Sequence, residues 1–264
     1  MNDVFDIKRF IWLLKKSVLE QPALLLGLLA VTLTITLLTY AIVQSMVGIG
    51  KAQLSAFVLG FLIGGSFMAS SVFSYFSSKS NGVSYLLLPA SHLEKWLCGI
   101  IIAGFLFVLI YLGFYRLIDL YFVDSYRNNL DHHAINYLTQ YNSVEIFSFE
   151  NPIARSVIIM FFNISGAMLL GSLYFNKVSY IKVALLICLF IIGTYFINLF
   201  FGSFFFEHID LALPFTSVFL KVDKEVGIID MPSAPAKAAG FAIAYVVPSV
   251  LWLLAYLRLK EKEV

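Results

Sequence analysis

Imidazoles and carboxylates gather at two places in this 264-residue sequence: Asp131-His132-His133, and Glu207-His208 with Asp210. A protein-bound metal needs three or four converging ligands. Neighbouring side chains on a helix point apart, and no third ligand stands at a diagnostic spacing, so Asp131–His133 reads as a solvated loop. Glu207, His208 and Asp210 collect at the edge of an apolar run. Acid–base work is one reading there, and a hydrated helix end is the simpler one. Cys98 and Cys188 lie inside separate apolar runs with no pairing motif, which makes them packing residues rather than a disulfide or metal pair. The sequence lacks the Gly-x-x-x-x-Gly-Lys-Ser/Thr loop that cradles nucleotide phosphate, the His-Glu-x-x-His zinc helix and the Gly-x-Ser-x-Gly nucleophile elbow. No catalytic residue, metal ligand or cofactor is assigned to the chain, which is not read as an enzyme by itself. Any ATP consumed, with its magnesium, belongs to a partner.

The remaining chemistry is conformational. In the stretch Ser77–Trp96, Asn81 can cap a short helix, Val83, Leu86 and Leu87 give it an apolar side, and Pro89 stops it. Ser91-His92-Leu93-Glu94 then fits the Ser-x-x-Glu capping box, in which each side chain bonds the other residue's backbone amide. A new helix is expected from about Ser91. The stretch joins two long apolar runs, so a short surface helix would be bolted to the start of a membrane-spanning one.

The elements that carry this stretch follow from composition. Hydrophobic residues make up 60% of the chain, charged residues only 13%, and the mean hydropathy is +0.88. A soluble domain carries about a quarter charged residues, so this is an integral membrane protein. The formal charge of +2, without a basic aromatic patch, gives no argument for a nucleic-acid partner, and none is expected. The 26 Phe and 14 Tyr suit lipid-facing and interfacial surfaces.

The fold expected is all-α, a single transmembrane unit over residues 1–264. Along 4–20, Val4, Ile7, Ile11, Leu14 and Val18 share one side at helical spacing and Asp6, Arg9, Lys16 and Glu20 the other. This is an amphipathic helix in the membrane interface, anchored by Trp12, or a plain extension of the first span. Six apolar runs follow, at about 23–46, 54–76, 96–117, 153–175, 183–206 and 238–257, each near the ~20 residues that cross a bilayer core. The first is too long for a signal-peptide core and is read as retained. Lys and Arg orient the bundle. With both termini on one side, that side holds eleven of the 18: Lys8, Arg9, Lys15, Lys16, Lys79, Lys95, Lys177, Lys182, Arg258, Lys260 and Lys262. Both termini and Ser77–Lys95 are therefore expected to face the cytoplasm, from a multi-pass protein of the cytoplasmic (inner) membrane. Segments 119–151 and 207–237 would lie outside, the first polar and the second holding a short re-entrant or interfacial helix.

Inside the membrane, Gly60-x-x-x-Gly64, Ala167-x-x-x-Gly171 and Asn198-x-x-x-Gly202 mark faces where helices approach. Thr32, Thr36 and Thr39 form a polar stripe, and Asn163 and Asn198 sit at mid-depth. These five residues either hydrogen-bond between helices or line a weakly polar transport path between two protomers. Pro248 should kink the last span. No span carries an uncompensated Asp, Glu, Lys or Arg near its middle, which argues against ion-coupled transport.

Ser77–Trp96 resembles the loop between the second and third spans of permeases of the type 2 class of ABC transporters. The class pattern is a polar turn, Gly, a Leu-Leu-Leu-like run, Pro, a small residue, Ser and a nearby Lys. Here these are Lys79, Asn81, Gly82, Leu86-Leu87-Leu88, Pro89, Ala90, Ser91 and Lys95. Leu-Pro-Ala-Ser-x-x-Glu-Lys is also similar to uncharacterised permeases of this class in Bacteroidetes. Where many members carry Arg-Glu before the Gly, this chain has Ser80-Asn81. The resemblance implies an exporter subunit with an N-terminal elbow helix, a cytoplasmic coupling helix, a second permease subunit and a cytoplasmic ABC ATPase, embedded in membrane lipid. It implies that Ser84, Leu87, Pro89, Ala90, Ser91, His92, Glu94 and Lys95 form the ATPase-contact region. The competing readings are a non-transporting scaffold, sensor or immunity subunit and an intramembrane enzyme built on Asp131–His133 or Glu207–Asp210.

Overall fold

The computed structural model of the chain describes residues 5–20, 22–77, 79–131, 137–175, 178–205, 209–213, 217–222 and 225–262. Among them are six helices long and apolar enough to cross a membrane: α2 (Pro22–Met46), α3 (Ile49–Ser71), α5 (His92–Asn128), α7 (Pro152–Tyr174), α8 (Ser179–Ser203) and α9 (Ser233–Glu261). Three shorter helices accompany them: α1 (Ile7–Glu20), α4 (Lys79–Leu86) and α6 (Tyr137–Ser143). The chain is a multi-pass membrane protein.

Local chemistry sets several ends. Pro22 opens α2, where its missing N–H is one that a first turn leaves unused anyway. Asn151 caps α7 by accepting from the Ile153 amide at 3.1 Å, with Pro152 in the first turn. The tight link between α2 and α3 runs through Gly48 at φ +109°, a conformation side chains rarely adopt.

Three boundaries depart from expectation. The second span starts earlier, at Ile49, and gives way at Val72 to a 3₁₀ turn, Ser74–Ser77. The third does not end near Leu117: α5 runs 37 residues, about 55 Å at helical rise, nearly twice the ~30 Å hydrocarbon core. Hydropathy marks where a helix leaves lipid, not where it stops, and no breaker interrupts α5 before Asn129. α9 already begins at Ser233, and before it the described part of segment 207–237 is not the short helix expected. It forms an antiparallel sheet in the order β1 (Ile209–Leu213), β2 (Ser217–Val222), β3 (Glu225–Asp230), with Val222 opposite Glu225 across a two-residue connection. Val218, Leu220 and Val222 recur at every second residue, a strand period that Ser217 and Lys221 offset with polar side chains, and the short connection favours a hairpin.

The bundle is built around α3 and α7. The Gly60–Gly64 face of α3 receives α2: a Cβ at Gly60 would overlap Thr36, and one at Gly64 would overlap Thr32. Gly65 lies against Phe161 of α7, Gly166 of α7 against Trp252 of α9, and Gly171 against Val183 of α8. Small residues thus set helix approach on both central helices. Gly64→Val should lower stability by about 3 kcal/mol through forced repacking. Gly27→Val, with open space around it, should be neutral in the same heat-challenge assay, scored by the monodisperse fraction in detergent.

Pro248 follows a π-helical turn of α9, and Asn163 answers the amide that it lacks. Residues Ala242–Val246 form a π-helical turn in which the Val247 amide reaches back five residues to the Ala242 carbonyl. The next carbonyl in that register, Ile243, would meet the nitrogen of Pro248, which has no hydrogen. Asn163 of α7 donates to it instead, at 2.9 Å, and also to the Ile159 carbonyl at 2.9 Å. Asn163→Ala should therefore cost about 1 kcal/mol. The cost should shrink when Pro248→Ala restores the missing amide, a non-additivity that a double-mutant cycle would read.

Candidate functional site

The face of the bundle that carries α1 and α4 holds the resembling stretch. Phe10 and Leu13 of α1 are buried against Cys98 and Ile102 of α5, with Leu14 and Val18 alongside, while Ile7, Ile11, Trp12 and Leu19 stay uncovered. The apolar stripe expected on α1 is thus split: its Leu14–Val18 end touches protein, and Ile7 and Ile11 face outward. On α4, Gly82 and Tyr85 are buried and Leu86 is half-buried, whereas Val83 and Leu87 are exposed, Leu87 at 78%. Val83 and Leu87 therefore form an outward knob and not the packed side of the helix. The helix begins at Lys79, so Asn81 sits inside it and is not its cap. Tyr85 stacks on Tyr75 with ring centroids 4.9 Å apart and meets the edge of Phe76.

The capping box at the start of α5 is complete. Ser91 Oγ accepts from the Glu94 amide at 3.2 Å, and Glu94 Oε2 accepts from the Ser91 amide at 2.9 Å. Glu94 goes further: its Oε1 accepts from the Asp6 amide at 2.7 Å and from Arg9 Nη2 at 3.0 Å. One fully buried carboxylate thereby fastens the first turn of α1 to the first turn of α5. The neighbouring Lys95, 1% exposed, donates from Nζ to the Leu86 carbonyl at 2.7 Å, satisfying the C-terminal end of α4. Trp96 Nε1 donates to the Trp252 carbonyl of α9 at 2.9 Å.

These positions correct the expected contact set. Glu94 and Lys95 point inward and hold α1, α4 and α5 together; neither presents a side chain to a partner. Ala90, Ser91 and His92 are half-buried, and the outward residues are Ser84, Leu87 and Pro89, joined by Val83.

The residues offered as path lining are also largely committed. Thr32 and Thr36 are buried between α2 and α3; Thr32 donates to the Leu28 carbonyl and Thr36 to that of Thr32, with Tyr111 Oη 3.3 Å from Thr36 Oγ1. Thr39 is half-buried. Asn163 is engaged with α9. Asn198, on the mostly uncovered α8, has no hydrogen-bond partner among the described residues. Helix packing accounts for Thr32, Thr36 and Asn163 within this subunit.

A second buried polar cluster lies at the far end of α5, where no site was expected. Asp119 is fully buried. Its Oδ1 accepts from Tyr40 Oη at 3.0 Å and Gln53 Nε2 at 2.9 Å, and its Oδ2 accepts from the Phe147 amide at 2.8 Å. Gln53 also donates to the Glu145 carbonyl, and Tyr115 Oη to the Gln53 carbonyl at 2.6 Å. Arg116 and Arg127 bind the Phe147 and Val144 carbonyls and lie over the rings of Phe149 and Tyr141. Segment 137–149 is thus folded back and pinned by α5. The readable signal was Phe107, Tyr111, Tyr115, Asp119 and Val123, one buried stripe at four-residue spacing.

His132, His133, Glu207 and His208 lie outside the described residues; Asp131 is exposed and Asp210 lies on β1. Among the described residues, no three metal-binding side chains converge. No protein-family model, curated protein or solved structure matches the chain.

Proposed function

We propose that the chain is the membrane-spanning permease subunit of an ATP-driven exporter of the type 2 ABC class, working with a separate ATPase and a second permease subunit in the cytoplasmic membrane. The observation that carries this reading is the construction of residues 79–95. A short helix with an exposed Val83–Leu87 knob is tied through Lys95 to the first turn of a spanning helix. That turn is itself fixed by the Ser91–Glu94 box and by Glu94 to α1. Closure of an ATPase dimer against Ser84, Leu87 and Pro89 would push α4, and the Lys95 and Glu94 links would pass the displacement into α5 without slack. Two further features fit. The lysine distribution favours a cytoplasmic position for this face, and α8 leaves nearly all its surface uncovered, with room for a second subunit and lipid.

Site-directed cross-linking tests the contact. Leu87→Cys, in a Cys188→Ser background because Cys188 is exposed, should cross-link to a co-expressed ATPase subunit. Tyr121→Cys, 69% exposed on the far extension of α5, should not. Equal yields from both positions, or none from Leu87→Cys with the ATPase present, would exclude α4 as the contact.

A further inference from the structure

Between α1 and α4 lies a cleft of about 300 Å³ that the coupling of α4 to α5 does not use. Lys16 and Glu20 of α1 form one wall, Asn81 and Ser84 of α4 the other, and the stacked rings of Tyr75 and Tyr85 the floor. Lys16 and Glu20 are four residues apart on one helix face, both exposed, yet no ion pair joins either to an opposite charge among the described residues. Burial, reinforced by the nearby Glu20 carboxylate, pushes the Tyr75 hydroxyl up to about 12, so it stays protonated. Ser84 Oγ spends its hydrogen on the Ser80 carbonyl at 3.0 Å, which leaves its lone pairs facing the cleft. Behind the tyrosines the space narrows to a void of about 20 Å³ walled by Leu24, Leu25, Val72 and Ile102, room for no more than a water. An occupant therefore stops at the tyrosine floor, and its size is that of a headgroup.

The charges define its chemistry. A purely anionic group would meet Lys16 but also Glu20. A quaternary ammonium would want open aromatic faces, and here the two rings are stacked on each other with Tyr85 only 6% exposed. A primary ammonium beside a phosphate meets each wall correctly: N–H donors toward Glu20 and Ser84, anionic oxygens toward Lys16. The source is set by the surroundings, because the same α1 leaves Trp12, Leu19 and Ile11 more than half exposed, a face suited to acyl chains and interfacial lipid. We propose that this cleft binds the phosphoethanolamine headgroup of an aminophospholipid, Lys16 taking the phosphate and Glu20 the ammonium. The assignment does not depend on the exporter reading and stands or falls separately from it.

Native mass spectrometry of the full-length protein in mild detergent, titrated with dioctanoyl phosphatidylethanolamine, -choline and -glycerol and with free O-phosphoethanolamine, provides the test. The ethanolamine lipid should bind about tenfold more tightly than the other two lipids, the size of one charge-assisted hydrogen bond. Glu20→Gln should abolish that preference while leaving phosphatidylglycerol binding unchanged or stronger, and Lys16→Ala should weaken ethanolamine-lipid binding about tenfold. Ser84→Trp, which fills the cleft from an exposed position, should block binding while the elution profile stays that of the parent. Equal retention of the three lipids, a preference that survives Glu20→Gln, or tightest binding of phosphatidylglycerol would each overturn the proposal. Binding of free O-phosphoethanolamine as tight as that of the lipid would overturn the lipid source.

Discussion

Asp119→Asn should destabilise the protein by about 3 kcal/mol, one of the two largest effects expected from a single isosteric change. Every contact to this side chain comes from a donor: Tyr40 Oη and Gln53 Nε2 on one oxygen, the Phe147 amide on the other. An asparagine amide must aim its NH₂ at one of those donor sets, whichever way it is turned. Gln53 cannot turn away freely, because the same Nε2 also serves the Glu145 carbonyl. The loss should spread along 144–149, where Phe147 packs on Phe57 and Tyr115. Thermal unfolding in detergent measures the first effect, and limited proteolysis between Tyr137 and Phe149 measures the second. Asp124→Asn, on the exposed side of the same helix and bonded among the described residues to Asn128, should stay within about 0.5 kcal/mol of the parent. Equal behaviour of the two variants would remove Asp119 as the pin of the segment.

Glu94→Gln should have a comparable effect at the opposite end of α5, together with a functional consequence. Its Oε1 accepts from the Asp6 amide and Arg9, and its Oε2 from the Ser91 amide, so the glutamine NH₂ again faces a donor in either orientation. Arg9 is 34% exposed and regains water when released. The loss therefore comes mainly from whichever backbone amide, that of Asp6 or that of Ser91, is left facing the NH₂, about 2 kcal/mol in stability. Under the proposed mechanism the larger change is in coupling. With the link from α1 to α5 loosened, a reconstituted complex should keep hydrolysing ATP while transport falls about tenfold or more, equivalent to roughly 1.4 kcal/mol of lost coupling. Lys95→Met, which frees the Leu86 carbonyl, should shift the same ratio in the same direction. Hydrolysis and transport that fall in parallel in both variants would argue for plain loss of folded protein.

Much of this organisation is legible in the residue order, for identifiable reasons. Each span is a continuous apolar run, and hydropathy reports that directly. The Ser91–Glu94 box is a local motif whose partners lie three residues apart, so the sequence alone places it. Pro248 removes a backbone amide wherever it stands. The features that escape are those decided at a distance. Glu94 turns inward because Asp6 and Arg9 arrive from more than 80 residues away, and without them a loop glutamate reads as solvent-facing. Asp119 belongs to an interior stripe that continues past the end of the apolar run, and a hydropathy window treats the first carboxylate as the end of the span. Thr32 and Thr36 look like a polar lining until Gly60 and Gly64 close over them. Strands β1–β3 are short, and their alternation resembles that of an interfacial helix when the pairing strand is not considered.

The most direct test of the proposed function is purification of the tagged full-length protein from its own membranes in mild detergent, with identification and quantification of what accompanies it. The exporter reading predicts a P-loop ATPase at a one-to-one ratio with this chain, retained by Glu94→Gln and lost from Leu87→Asp, because Leu87 is exposed and Glu94 is internal. A stable oligomer of this chain with no ATPase, unchanged by Leu87→Asp, would contradict it and leave a scaffold or sensor as the function.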